Sequence, residues 1–254
     1  MDEHRANAHP RHPAESSNDT GKTLRRLRSG AITECKLVPW GSNYTFAVAL
    51  GDPDDEDAEP LLAIYKPRAG EAPLWDFPSG TLYQREYASY LLADALGWDF
   101  IPPTVIRDGP HGIGTVQLYI EPEHDSHYFN FRDTHRDELR RMAVFDLVTN
   151  NADRKAGHCF RDHTRTRIWG IDHGLTFNVQ PKLRTVIWDF CGEEIPANLA
   201  AGLARVHDDP AIAEILVPHL DPLEIHALRA RAARLIDDGV FPQLSSRRNI
   251  PYGW

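Results

Sequence analysis

Two short stretches decide how this chain reads: NNADRKAGH at residues 150–158 and IWGIDHGLTF at residues 168–177. In the first, Asp153 stands in a polar loop just after a helical run. In the second, Asp172 follows the apolar piece RIWGI and precedes Gly174. Carboxylates at such loop and strand ends suit hard divalent cations, Mg²⁺ or Mn²⁺ rather than zinc. Either Asp alone is more often a cap or turn former, so the flanking sequence has to discriminate.

Working back towards the N-terminus, residues 31–38 (AITECKLV) and 44–50 (YTFAVAL) are β-branched and aromatic, and PWGSN between them makes a hairpin turn. LLAIYKP (61–67) predicts a third strand stopped by Pro67, with Lys66 inside an apolar run where an ammonium needs an anionic partner. Residues 79–96 predict a long helix, with Ser79 as its N-cap and Gly97 at its stop. Glu86 in its middle is the candidate partner of Lys66. PTVIR (103–107) and GTVQLYI (114–120) predict two more strands around a DGPHG turn. Towards the C-terminus the pattern turns helical: 133–150, then the short strand pieces 158–162 and 167–171, then helices over 195–206, 210–219 and 222–238. The sequence therefore predicts a sheet-plus-helix lobe and a mainly helical lobe joined near 121–132, with a ligand cleft between them.

Composition sets limits on the partners. The 254 residues are 41% hydrophobic and 26% charged, an ordinary globular balance, and the formal charge is −9, a poor match for nucleic acid or an anionic membrane. The charge is uneven: GDPDDEDAE (51–59) holds six acids, whereas 132–184 carries eleven Lys/Arg against seven Asp/Glu. The acidic run is expected to be an exposed loop, and the basic excess surrounds Asp153 and Asp172. Residues 1–22 contain no Leu, Ile, Val or Phe and are expected to be a disordered tail. Cys35, Cys159 and Cys191 follow no pairing pattern, and no apolar run is long enough to cross a bilayer, so a soluble, cytoplasmic protein is expected. The six Trp residues (40, 75, 98, 169, 188 and 254) are expected to anchor the core or the lobe interface, and RRNIPYGW at the C-terminus could dock on the fold or on a partner.

In order along the chain come a Gly/Ser/Asn hairpin tip, a strand Lys, a helix Glu, an inter-lobe join, a loop Asp and a strand followed by an Asp. Phosphoryl transfer needs these parts: donors and a cation over the phosphates, a metal between them, and a carboxylate near the attacking hydroxyl. With NNADRKAGH and IWGIDHGLTF about twenty residues apart, residues 30–190 resemble the atypical kinases that include phosphatidylinositol 3- and 4-kinases, in particular actinobacterial phosphatidylinositol-kinase-like proteins.

The resemblance implies an α+β, two-lobed protein-kinase-like fold: a small N-lobe over 23–120 with an antiparallel sheet and one helix, and a mainly helical C-lobe over 121–254. It implies that Asp153 is the catalytic-loop Asp and that Asp172 binds the metal bridging the ATP phosphates. Lys66 would contact the phosphates and pair with Glu86, and Arg154, grouped with Asp153 and Lys66 as catalytic, would hold the loop in place. Backbone amides of Gly41, Ser42 and Asn43 would cover the phosphates, and Gln117, Leu118 and Tyr119 would lie against adenine. His158 stands where the family commonly has a metal-binding Asn, a change that suits Mn²⁺ better than Mg²⁺, and Asn151 is an alternative polar contact. The partners implied are ATP with Mg²⁺ or Mn²⁺ and a hydroxyl acceptor on a protein, a polyol or a lipid headgroup, with autophosphorylation included. The bases available to a phosphoinositide headgroup after Asp172 are Lys182 and Arg184 alone. Three alternatives stay open: a catalytically silent nucleotide-binding scaffold, an AMP transferase on the same fold, and a zinc site from His158 and His163 with Asp172 or His173.

Overall fold

The structure is a computed structural model, and it describes residues 17–39, 41, 43–245 and 247–252. Five strands form an antiparallel sheet in the order β1-β2-β3-β5-β4: β1 Ile32–Val38, β2 Thr45–Leu50, β3 Leu61–Pro67, β4 Thr104–Gly109 and β5 Gly112–Leu118. The period of two along β3 sorts its side chains. Ala63 and Tyr65 point to one face, where they pack with Val48, Leu50, Val105 and Val116, and Lys66 points to the other. Gly114 sits opposite the end of β3, and a Cβ there would lie 2.3 Å from the Lys66 carbonyl oxygen, so this close approach requires glycine.

The first face is covered by a helix the sequence does not announce. Helix α1, Ser17–Ser29, brings Leu27 into that small core and Leu24 against it. Residues 17–22 are therefore helical, not tail, while residues 1–16 lie outside the described residues. Two leucines are too few to signal an amphipathic helix; it is the sheet face that gives them something to cover. The acidic loop is tied to this helix. Asp52 is buried, with its carboxylate 3.7 Å from Lys22 and 3.6 Å from Arg26, and Arg25 pairs with Asp54, so the expectation of a wholly exposed loop holds only from residue 53 onward.

Helix α2, Leu82–Leu96, lies between the other sheet face and the helical lobe, with buried residues on every side. It begins three residues later than the sequence suggests, and Ser79 is not its cap: the Glu71 carboxylate accepts from the amides of Leu82 and Tyr83. Gly97 ends it in the left-handed conformation, as expected. The C-terminal half follows with α3 Tyr128–Phe131, α4 Arg136–Thr149, the β6 Cys159–Arg161 and β7 Ile168–Gly170 pair, α5 Ala197–Asp208, α6 Pro210–Leu216 and α7 Pro222–Asp238. Asp-Pro begins both α6 and α7, the Asp carboxylate accepting from the second amide and Pro filling the first helical turn.

The two halves are bolted together around α2. Arg85 is buried, bonded to the Thr176 carbonyl and paired with Glu224 of α7 at 2.5 Å, and Ser89 shares a hydrogen bond with Thr176. The join after β5 is also held, since Glu121 accepts from the His163 amide and the Glu123 amide donates to Arg161 beside β6. Trp98 and Trp169 are core residues and Trp188 is half-buried. Trp75, however, is 91% exposed, with Lys182 over its ring, while Trp40 and Trp254 lie outside the described residues. Among the described residues no helix is long and apolar enough to cross a membrane.

Candidate active site

Between the sheet and the helical lobe, three segments converge on Asp172. Lys66 Nζ, reaching from β3, lies 2.7 and 3.0 Å from the two carboxylate oxygens of Glu86 on α2, and 3.0 Å from Asp172 Oδ1. Burial would depress the Lys66 ammonium, but the carboxylates of Asp172 and Glu86 outweigh it and hold the group charged, above its ordinary range. Lys66 in turn keeps the Asp172 carboxyl well below the usual carboxylate range, against the effect of burial. Burial raises the Glu86 carboxyl, and its contact with Lys66 opposes that rise.

Asp172 has a φ of +61°, a left-handed conformation that Asp tolerates better than most residues but that still costs free energy. The residue before it and the residue after it are pinned by one guanidinium. Arg154 Nη1 donates to the carbonyls of Ile171 and His158, and Nη2 lies 2.6 Å from His173 Nε2. The same guanidinium grips the Asp146 carboxylate of α4, and both groups are fully buried. Asp146 also accepts from Asn151 Nδ2 and Thr185 Oγ1. Burial together with Arg154 keeps His173 neutral, its pKa well below normal.

The loop carrying Asp153 leaves α4 at Asn150, which caps the helix at φ +56° and bonds the backbone of Asn178, Gln180 and Lys182 with its side-chain amide. Asn151 Oδ1 accepts from the Asp153 amide in an Asx turn. The Asp153 carboxylate, partly open to solvent, is 2.9 Å from Lys155 Nζ. His158 Nδ1 lies 3.0 Å from the Asp153 carbonyl oxygen and 3.4 Å from the Lys155 amide nitrogen, within reach of both an acceptor and a donor. Burial pushes the His158 pKa down. His158 Nε2 lies 3.3 Å from Asp172 Oδ2.

That set fits a divalent cation: an ionised carboxylate and an imidazole nitrogen converge beside the Lys66 ammonium. Among the described residues no three His, Cys, Asp or Glu side chains are grouped so that they could hold a metal ion. The zinc alternative loses its ligands. His163 sits at the lobe join beside Glu121, and His173 is turned inward onto Arg154.

The other expected residues are distributed as follows. Gly41 has φ +111°, open to glycine and costly for other residues, whereas Ser42 lies outside the described residues. Asn43 uses Oδ1 to accept from the Ala72 amide. Gln117 is buried in the sheet and donates to Thr104, so its side chain serves β4 rather than a ligand. The amides of Leu118 and Tyr119 are bonded to the carbonyls of Pro103 and Leu62. Leu118 and Tyr119 also line a cavity of about 1370 Å³ that contains none of Lys66, Glu86, Asp153 or Asp172. Arg154 has no exposed surface and so touches no substrate; its place is to hold the loop. Asn151, also fully buried with both ends of its amide engaged, is no metal contact. Sequence reading missed Asp146 and Thr185 and named His173 only as an alternative zinc ligand, since their buried polar contacts show only in three dimensions.

Solved structures define the class of fold. The Golgi casein kinase superposes with a TM-score of 0.52 at 15% identity, over 87% of this chain and 74% of that one. The same kinase with Mn/ADP bound superposes with a TM-score of 0.54 at 14% identity, over 87% and 75%. The Helicobacter pylori proinflammatory kinase CtkA gives 0.50 at 13%, over 82% and 94%. The fold is kinase-like, as the order of motifs implies, and at such identities the likeness speaks for fold alone. No protein-family model matches the sequence. Protein Rv2133c of Mycobacterium tuberculosis is 38% identical over 268 aligned positions, 89% of this chain and 93% of that protein, and this chain belongs to its family.

Proposed function

We propose that this protein is an ATP-dependent phosphotransferase of the atypical-kinase type, with Mg²⁺ or Mn²⁺ as cofactor and a hydroxyl as acceptor, itself included. The observation that carries the reading is the bridge of Lys66 between buried Glu86 and ionised Asp172, with His158, in contact with the Asp153 carbonyl, 3.3 Å from Asp172. Two hydrogens of the Lys66 ammonium stay on Glu86, and the third, now on Asp172, is available to a phosphate oxygen. Asp172 and His158 would hold the metal, which neutralises phosphate charge when bound. Asp153 orients the acceptor hydroxyl and takes its proton as the new O–P bond forms and ADP leaves. Arg154 acts only by holding Asp153 and Asp172 in register.

The kinship with phosphatidylinositol kinases rests on the Asp-Arg and Ile-Asp-x-Gly motifs. A lipid headgroup is the less favoured acceptor, because Lys182 is already paired with Asp76 at 2.9 Å, leaving Arg184 as the nearest candidate cation. A cytoplasmic setting fits the ATP requirement and three free cysteines. Purified protein incubated with γ-labelled ATP and Mn²⁺ or Mg²⁺ will transfer label to itself or an added acceptor, and Asp153→Asn and Asp172→Ala will abolish this. Turnover that survives both changes would sink the assignment, and release of pyrophosphate would mark AMP transfer instead.

A further inference from the structure

The loop carrying Asp153 is held from a direction that its own motif does not indicate. Segment 183–188 runs beside it: the Arg184 amide donates to the Asn151 carbonyl at 2.8 Å, the Arg154 amide to the Arg184 carbonyl at 3.0 Å, and the Val186 amide to the Arg154 carbonyl at 3.1 Å. On the outer side of that segment lies the C-terminal stretch. The Thr185 amide donates to the Asn249 carbonyl at 2.9 Å, Trp188 Nε1 donates to the same oxygen, and Asn249 Nδ2 donates to the Leu183 carbonyl at 3.0 Å. Ser245 Oγ fixes the Asn249 side chain by donating to its Oδ1 at 2.7 Å. On the inner side, Thr185 Oγ1 donates to Asp146 Oδ2 at 3.0 Å and accepts from the Ile187 amide at 3.1 Å. Asp146 is the carboxylate that grips Arg154.

Thr185 is thus the point where the C-terminal stretch and the buried Asp146–Arg154 pair meet, bonded outward by its amide and inward by its hydroxyl. We propose that Thr185 and Asn249 are positioning residues for Asp153, so that Asn249, with Ser245 fixing its side chain, belongs to the machinery that sets the catalytic loop. The inference rests on the phosphotransferase reading for its effect on turnover, but not for its effect on the loop. Thr185 is 2% exposed and touches no substrate, and Asn249 lies on the far side of segment 183–188 from Asp153. Without the Thr185 hydroxyl, a buried carboxylate oxygen loses a donor and the Ile187 amide loses its acceptor. The loop is then freer to drift, and a misplacement of about 1 Å at a reacting group can cost on the order of a hundredfold in rate. The Lys66–Glu86 side of the cleft is untouched by either residue.

The test uses the full chain with Thr185→Val, Thr185→Ser and Asn249→Ala. Amide hydrogen exchange without nucleotide reads the loop directly. Thr185→Val and Asn249→Ala will speed exchange at Arg154, Arg184 and Val186 by roughly tenfold, while Thr185→Ser stays close to the parent. Calorimetric affinity for Mn²⁺–ADP will fall by less than kcat, because Lys66 and Glu86 keep their contacts, and kcat with γ-labelled ATP will fall about tenfold or more with a smaller change in KM for ATP. Unchanged exchange in both variants, a serine variant no better than valine, or loss of nucleotide affinity in step with kcat would each overturn the proposal. A parent protein with no turnover would remove the phosphotransfer reading instead, and the exchange data would still decide whether the loop is held from the C-terminal side.

Discussion

The buried pair between Arg85 on α2 and Glu224 on α7 lends itself to a quantitative test. Both side chains are at least nine-tenths buried and 2.5 Å apart, and Arg85 also donates to the Thr176 carbonyl. Arg85→Met removes the cation and leaves the Glu224 carboxylate accepting from the Asp221 amide at 3.0 Å. Breaking one side of a buried ion pair costs about 3–5 kcal/mol, because the surviving charge stays desolvated. For a chain of this size each kcal/mol is worth roughly 2–4 °C, so the midpoint of thermal unfolding should fall by about 10 °C. Glu224→Gln keeps the amide contact and should cost less. The double variant Arg85→Met/Glu224→Leu strands no charge and should recover most of the loss, since apolar replacement of a whole buried pair is often close to neutral. Thermal denaturation followed by circular dichroism, with and without Mn²⁺–ADP, measures both the cycle and its consequence for nucleotide binding through α2. A single-variant cost below about 1 kcal/mol, or a double variant as damaged as the sum of the singles, would show that the pair does not hold α2 as described.

Other outcomes follow from close contacts and burial. A Cβ at Gly202 would lie 2.5 Å from Trp98, so Gly202→Ala should destabilise the helical lobe by about 1–3 kcal/mol in urea unfolding without changing nucleotide affinity. Gly114→Ala, by contrast, pushes on the backbone at Lys66 and should weaken Mn²⁺–ADP binding as measured by calorimetry. Burial raises the Cys159 thiol to about 12, so a thiol reagent at pH 8 should label Cys35 and Cys191 in the native protein and reach Cys159 only after unfolding. Replacing residues 54–57 by Gly and Ser should leave nucleotide binding intact. Asp52→Ala, which frees Lys22 and Arg26 on α1, should lower the unfolding midpoint instead.

Much of this arrangement was legible because its signals are local. The strand periods and the Gly97 stop each depend on neighbours within a few residues, and every strand and all the longer helices except α1 fall within three residues of where the pattern puts them. Lys66, Glu86, Asp153 and Asp172 could be picked out because an apolar strand or a turn makes a charge conspicuous. What stayed hidden is decided at long range. Helix α1 is stabilised by a sheet face formed later in the chain, and Glu71 caps α2 across eleven residues. Arg154 reads as a catalytic neighbour of Asp153, yet its whole surface is taken up by Asp146, His173 and backbone carbonyls. Nothing in the run ADRK indicates that one of its two cations points inward.

Helix α2 packs on β4 and β5 with one side and on α6 and the rest of the helical lobe with another, and its buried apolar residues belong to the core of that lobe. A molecule built this way does not come apart at the lobe join. Melting either half strips α2 of one of its walls, so both halves should unfold in a single calorimetric transition whose van't Hoff and calorimetric enthalpies agree. Chains cut at residue 120 should yield two pieces that are insoluble alone, and co-expression should restore them only as a complex. Cooperativity, more than any flexibility between lobes, is what the burial of α2 gives this fold.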